Sequence, residues 1–94
     1  MRVITRRRID RFSFLHPDAK SSLESWFSLV SRAKWTSLAE VRKVYPAADL
    51  VGRRTVFNIS GNKYRLIARV NYRAQVVFVL FILTHTEYDQ GAWK

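Results

Sequence analysis

At Arg53 the apolar residues of this chain change their spacing, from about every 3.6 positions to every second position. The two periods demand different backbones, because each decides which side chains share a face. The first half is therefore expected to be helical and the second half to be strands. That order defines an α+β fold, with an N-terminal strand and helices packed on an antiparallel β-meander. A length of 94 residues leaves room for one core, so residues 1–94 are read as a single domain.

Ahead of the change, "MRVIT" leans towards a short strand. "RRRIDRFSFL" reads as a helix with Ile9, Phe12 and Leu15 turned inward. "HPDAKSSLESWFSLVSRAK" is the clearest helix: Pro17 suits its first turn, Asp18 sits at the positive end of the dipole, and Ala19, Leu23, Trp26, Phe27 and Val30 form one apolar stripe. In "SLAEVRKVYP", Ser37 and Glu40 have capping-box spacing and Pro46 ends the helix. Two helices joined by a short turn also fit a DNA-reading helix-turn-helix. The apolar stripes and the absence of a basic cluster on the second helix speak against it.

After the change, "RRTVFNIS" is a strand, "GN" at Gly61 and Asn62 a two-residue hairpin turn, and "KYRLIARVNY" the returning strand. The return places Tyr64, Leu66, Ala68, Val70 and Tyr72 on one side. Lys63, Arg65, Ile67, Arg69, Asn71 and Arg73 fall on the other. "AQ" then turns the chain into "VVFVLFIL", eight apolar residues in a row, expected to be a strand buried on both faces. That run is far short of the roughly 20 residues a membrane helix needs. No secretion signal follows the charged start, and there is no cysteine, so a cytoplasmic location is expected and no membrane partner.

Charge narrows the partners. Seventeen Lys and Arg against seven Asp and Glu give +10, with a pI near 10.9. A small domain this basic is suited to a polyanion, and nucleic acid comes first. No acid stands between Leu50 and Thr86, a stretch that holds Arg53, Arg54, Lys63, Arg65, Arg69 and Arg73. An ordinary solvated strand face mixes signs; this one reads as anion-binding, since arginine forks grip phosphate oxygens. With two histidines and no thiol the chain offers little for a metal, and no phosphate-cradling glycine loop is present, so no cofactor is expected.

The apolar run ends in "THTEYD". Thr84 and Glu87 satisfy the capping box, so a short helical turn is expected to begin as the strand ends. His85 enters in its first turn, with Tyr88 three residues on. A turn fastened to a core strand is a rigid mount for titratable groups. The plainer reading has His85 merely opening a turn while Tyr88 packs on the sheet.

Taken in order, "WTSLAEVRKVYPAADLV", "TVFNISGNKYRLIARVNY" and "THTEYD" resemble the HigB group of type II toxins, small bacterial mRNA interferases with a RelE-like fold. The resemblance implies metal-independent RNA cleavage on or with the ribosome and a HigA-type helix-turn-helix antitoxin as partner. Carried over by position, it makes Arg65, His85 and Tyr88 the candidate catalytic groups, with Asn62 and Lys63 at the hairpin corner. A basic residue would be expected after Asp89, but Gln90 stands there. Either charge neutralisation shifts to Lys94, which joins Arg53, Arg54, Lys63, Arg69 and Arg73 as a candidate RNA contact, or activity is weakened. A non-catalytic basic RNA-binding module remains the alternative: it needs the same face but not His85.

Overall fold

The computed structural model describes all residues from Met1 to Lys94. A strand, β1 (Arg2–Ile4), leads into α1 (Arg6–Leu15), a 3-10 turn (Pro17–Ala19), α2 (Lys20–Arg32) and α3 (Leu38–Val44). Then come β2 (Asp49–Val51), β3 (Arg54–Ile59), β4 (Tyr64–Asn71), β5 (Val76–Thr84) and α4 (His85–Gln90). One sheet holds all five strands in the order β1-β5-β4-β3-β2. The pairs from β2 to β5 are antiparallel, as the meander requires, and β1 adds to β5 in parallel. No helix is long and apolar enough to cross a membrane.

The stripe on α2 does what its spacing predicts. Ala19, Leu23, Trp26 and Val30 are completely buried, and Phe27 is half-buried under the Arg6 guanidinium, 4.1 Å from its ring centre. The stripe meets Phe57, Leu66, Ala68, Val77 and Val79 on one face of the sheet. Phe57 sits at the centre, in edge contact with Trp26 at 5.4 Å and Tyr45 at 5.5 Å. Full burial of a side chain like Phe57 contributes roughly 1.5–3 kcal/mol. In contrast, α1 starts with three arginines at the positive end of its dipole, and Thr5, at φ 75°, makes no side-chain cap. Local propensity therefore does not hold this helix; burial of Ile9 does. Leu15, expected to face inward, is exposed: the last turn puts Phe12 and Ser13 on the core side, and Leu15, six residues after Ile9, falls roughly 120° round the helix from it.

Four further features depart from the sequence reading. Asp49–Val51 is a strand that no alternation announces; it is paired to β3 through the tight turn at Gly52 and Arg53, where Gly52 has φ 61°. This is the two-residue hairpin connection. The "GN" turn belongs to a four-residue loop, residues 60–63, closed by the Ile59–Tyr64 pair. At α3, Ser37 accepts from the Glu40 N–H at 3.4 Å, but the Glu40 carboxylate turns to the Thr36 N–H and hydroxyl instead of closing the box on Ser37.

The fourth departure concerns the apolar run, which is not buried on both faces. The β4–β5 register runs Ile67 to Phe81 and then Ala68 to Val79, leaving Leu80 as an extra residue in β5. This bulge resets the alternation so that Val77, Val79 and Ile82 all turn to the helix-covered core. Phe81 and Leu83 turn to the opposite face, and Phe78 is 37% exposed. On that second face Val56, Ile67 and Trp93 form a separate buried cluster, flanked by Val51, Phe81, Leu83 and Tyr88. The supposed basic outer face therefore has an apolar centre, roofed by residues from beyond β5.

Candidate active site

The site is built where β4 begins and β5 ends, since Tyr64 pairs with Thr84 and Arg65 with Leu83. Alternation sends Arg65 to the second face, where it is only 8% exposed. Its Nη1 donates to the carbonyls of Asn62 and Tyr64, both at 3.1 Å, and its Nη2 donates to the Asn62 side-chain oxygen at 2.7 Å. Three of the five guanidinium N–H groups are thus used in holding it, and Nε–H with one Nη2–H remains. Its carbon lies 5.5 Å from the Tyr88 ring centre, within cation–π range. Asn62 fixes Arg65 by both its backbone and its side chain.

The expected capping box is present. Thr84 Oγ1 accepts from the Glu87 N–H at 3.2 Å, and the Glu87 carboxylate accepts from the Thr84 N–H at 2.9 Å. The next N–H, that of His85, donates to the Lys63 carbonyl at 3.1 Å, tying the start of α4 to the hairpin loop that holds Arg65. One turn further along, the Asp89 carboxylate lies 2.9 Å from His85 Nδ1. With Nδ1–H directed at Asp89, Nε2 is the ring nitrogen left free. Asp89 was not singled out from sequence, although its i,i+4 spacing on an expected helix would have found it.

Lys63 is not a free cation. Its ammonium pairs with the Asp18 carboxylate, which also accepts from the Tyr64 hydroxyl at 2.8 and 2.9 Å. These hydrogen bonds, from Lys63 first and Tyr64 second, hold the Asp18 carboxyl below its ordinary range. The same contact with Asp18 raises both the Lys63 ammonium and the Tyr64 phenol. The acid missing from the strands is thus supplied from the 3-10 turn, and nothing local in the sequence signals it.

The other basic residues divide into two places. Arg53, Arg54 and Lys94 surround a shallow cavity of about 280 Å³, completed by Val51, Gly52 and Trp93. There Arg54 donates to the Trp93 carbonyl and lies 5.6 Å from the Phe81 ring centre. Arg69 stands exposed on β4 two residues beyond Ile67, and Arg73 is exposed in the loop before β5. The structure therefore brings Arg65 and Tyr88 into contact and sets His85 at the start of α4, tied to the hairpin loop through its backbone N–H. It sets the cavity cations beside the second cluster and leaves Arg69 and Arg73 further along the sheet. No group of three or more His, Asp or Glu side chains converges anywhere in the chain.

Helices on one face of a mixed five-stranded sheet, with a capped terminal helix opposite a buried arginine, define a RelE-like α+β domain. The family model described as HigB toxin, RelE-like toxic component of a toxin-antitoxin system, matches residues 19–91. The chain belongs to that family. It is similar to the mRNA interferase toxin HigB of Escherichia coli (strain K12), 25% identical over 92 residues, covering 95% of this chain and 88% of the relative. The mRNA interferase HigB of Shigella flexneri gives the same figures, 25% over 92 residues with 95% and 88% covered. That of Escherichia coli O6:H1 is 26% identical over 93 residues, covering 96% of this chain and 90% of the relative.

Proposed function

We propose that this toxin is an endoribonuclease that cleaves mRNA on the ribosome by attack of the RNA 2′-hydroxyl on the adjacent phosphate. The observation that carries the reading is the junction itself: Arg65, clamped by Asn62, faces the Tyr88 ring beside the α4 turn that presents His85. The relatives' designation as mRNA interferases points the same way.

In this reaction the 2′-oxygen forms a bond to phosphorus as the bond to the 5′-oxygen breaks, leaving a 2′,3′-cyclic phosphate and a 5′-hydroxyl. One proton must leave the attacking oxygen and one must reach the leaving oxygen. His85 Nε2, with Nδ1 held by Asp89, serves one transfer. Tyr88 serves the other, or orients or stacks on the RNA. Extra charge on the phosphorane falls to the unused N–H groups of Arg65; Lys63, paired with Asp18, and Arg69, further along β4, add only to the surrounding positive field. The chain's own cations thus supply the stabilisation, and cleavage is expected to persist in the presence of a chelator. Arg53, Arg54, Arg73 and Lys94 hold the RNA backbone at a distance from the chemistry. A HigA-type helix-turn-helix antitoxin neutralises the protein, its acidic residues complementing the +10 charge.

The test is induced expression in bacteria, following growth and transcript 5′ ends together, with His85→Gln in parallel. Growth arrest with new 5′ ends from the parent protein, lost in the folded variant, is the expected result. RNA binding with equal, negligible cleavage by both proteins would favour the non-catalytic module.

A further inference from the structure

Trp93 is a large aromatic residue in a tail of otherwise small or polar groups, yet it is only 5% exposed. Gly91, in the left-handed conformation at φ 74°, ends α4 and turns the chain back. The indole then drops onto Val56 and Ile67 on the second face of the sheet. Three further contacts fix it there. Its carbonyl accepts from Arg54, its Nε1–H donates to the Tyr88 carbonyl at 2.9 Å, and its ring stacks on the Tyr88 ring with centroids 5.0 Å apart and planes 15° from parallel. Tyr88 also meets the Arg65 guanidinium.

We infer that Trp93 is a positioning residue: it holds the Tyr88 ring against Arg65 from the second apolar cluster, without itself reaching the RNA. The inference rests on the role given to Tyr88 under the proposed function. The physical reason lies in α4, which has six residues and none of them buried. Its capping box fixes the first turn, where His85 stands, but leaves the Tyr88 ring without a rigid support of its own. Arg65 contributes a cation–π contact, which tolerates a range of ring orientations. The stacked indole sets the plane of the ring, and the bond from Nε1 to the Tyr88 carbonyl sets the backbone beneath it. Anchored by Val56 and Ile67, Trp93 gives Tyr88 the rigidity of the sheet.

The experiment is a mutant cycle on the full chain, read as single-turnover mRNA cleavage on programmed ribosomes with half-saturation measured alongside. The variants are Trp93→Leu, Trp93→Phe, Tyr88→Ala and Tyr88→Ala with Trp93→Leu. Leucine keeps apolar bulk on Val56 and Ile67 while removing the aromatic plane and the indole N–H. Trp93→Leu is expected to slow the maximal rate on the order of 10- to 100-fold, with half-saturation within about threefold of the parent, as misplacement of a reacting group does. Trp93→Phe, which keeps a ring to stack, should recover most of that rate. In the Tyr88→Ala background, Trp93→Leu should cost nothing more, because the group it positions is already gone.

Equal losses in both backgrounds would overturn the inference by making Trp93 a structural residue alone. A loss confined to half-saturation would overturn it by making Trp93 an RNA contact. Normal cleavage by Tyr88→Ala itself would remove the role of Tyr88 and the inference with it. Should Trp93→Leu unfold below the assay temperature, the cycle is run with Trp93→Met, which also lacks the ring and the indole N–H but fills more of the space on Val56 and Ile67. Coupling to Tyr88→Ala then supports positioning, and additivity overturns it.

Discussion

The Asp89 carboxylate lies 2.9 Å from Nδ1 of His85, one helical turn away on α4. The pair is local, exposed enough to reach a ligand, and mounted on a capping box, so its geometry follows from six residues of chain. It leaves Nε2 without a partner in the pair.

His85→Gln is therefore expected to lower cleavage by about 10²–10⁴-fold, the range over which a positioned acid or base acts. Asp89→Asn should lower the maximal rate by roughly tenfold while leaving RNA affinity equal or tighter, because a negative charge leaves a basic site. Parallel rate and binding measurements check both. A weaker affinity with an unchanged rate in Asp89→Asn would show that Asp89 does not orient His85.

Arg65 is expected to be intolerant of lysine. An ammonium cannot meet the Asn62 side chain, the Asn62 carbonyl and the Tyr64 carbonyl together from the place of a planar guanidinium. Arg65→Lys should then lose at least ~10-fold in rate, and Arg65→Ala about 10²-fold or more. Arg73→Ala, exposed in a distant loop, should weaken binding slightly and leave the maximal rate intact. Rates near the parent's in Arg65→Lys would mean that charge alone matters at this position.

The cluster of Asp18, Lys63 and Tyr64 predicts how stability depends on pH. Asp18 is held below its ordinary 3.8 in the folded chain, so its contribution is complete above that value and is lost as pH falls through the lowered one. Lys63 and Tyr64 are raised above 10.5 and 10.0, so theirs is complete below those values and is lost as pH rises through the raised ones. Urea midpoints of the parent protein should fall on both sides of a central plateau, and Asp18→Asn should flatten the acid limb. The same substitution frees the Lys63 charge and should tighten RNA binding. An unchanged acid limb in Asp18→Asn would remove the cluster from the stability argument.

RNA affinity should fall at least ~10-fold between low and physiological salt, because several of Arg53, Arg54, Lys63, Arg69, Arg73 and Lys94 displace counterions. The logarithmic slope should be shallower by about 0.7 for each phosphate-contacting residue removed, the value for a single strand, which titration of single alanine variants measures. A flat response would contradict a phosphate-binding face.

Thr84→Ala should cost about 1 kcal/mol, the usual value of a helix cap, and should loosen α4 more than the sheet. Phe57→Ala, at the centre of the main core, should cost about 3–5 kcal/mol. Hydrogen exchange would separate the two, as local opening of residues 85–90 in the first and global destabilisation in the second.

Much of this protein was settled by local chemistry. The spacing change at Arg53 separated helices from strands, the stripe from Ala19 to Val30 marked the core face of α2, and "THTE" set the boundary between β5 and α4. Each depends on residues within a few positions of one another, so each could be read along the chain. Strand β2 escaped because three residues are too few to show a period, and its pairing comes from β3. The Leu80 bulge escaped because an unbroken apolar run carries no alternation to mark where the phase slips.

Tertiary structure alone decided what the basic face is. Alternation assigned Arg65, Ile67 and Arg69 to one side of β4, which is where they are, but only the returning tail decided their exposure. Trp93 covers Ile67, Asn62 and Tyr88 enclose Arg65, and Asp18, 45 residues away along the chain, neutralises Lys63. The reason is physical: periodicity fixes the direction of a side chain from its neighbours, while burial and charge pairing depend on whatever the rest of the chain lays on top.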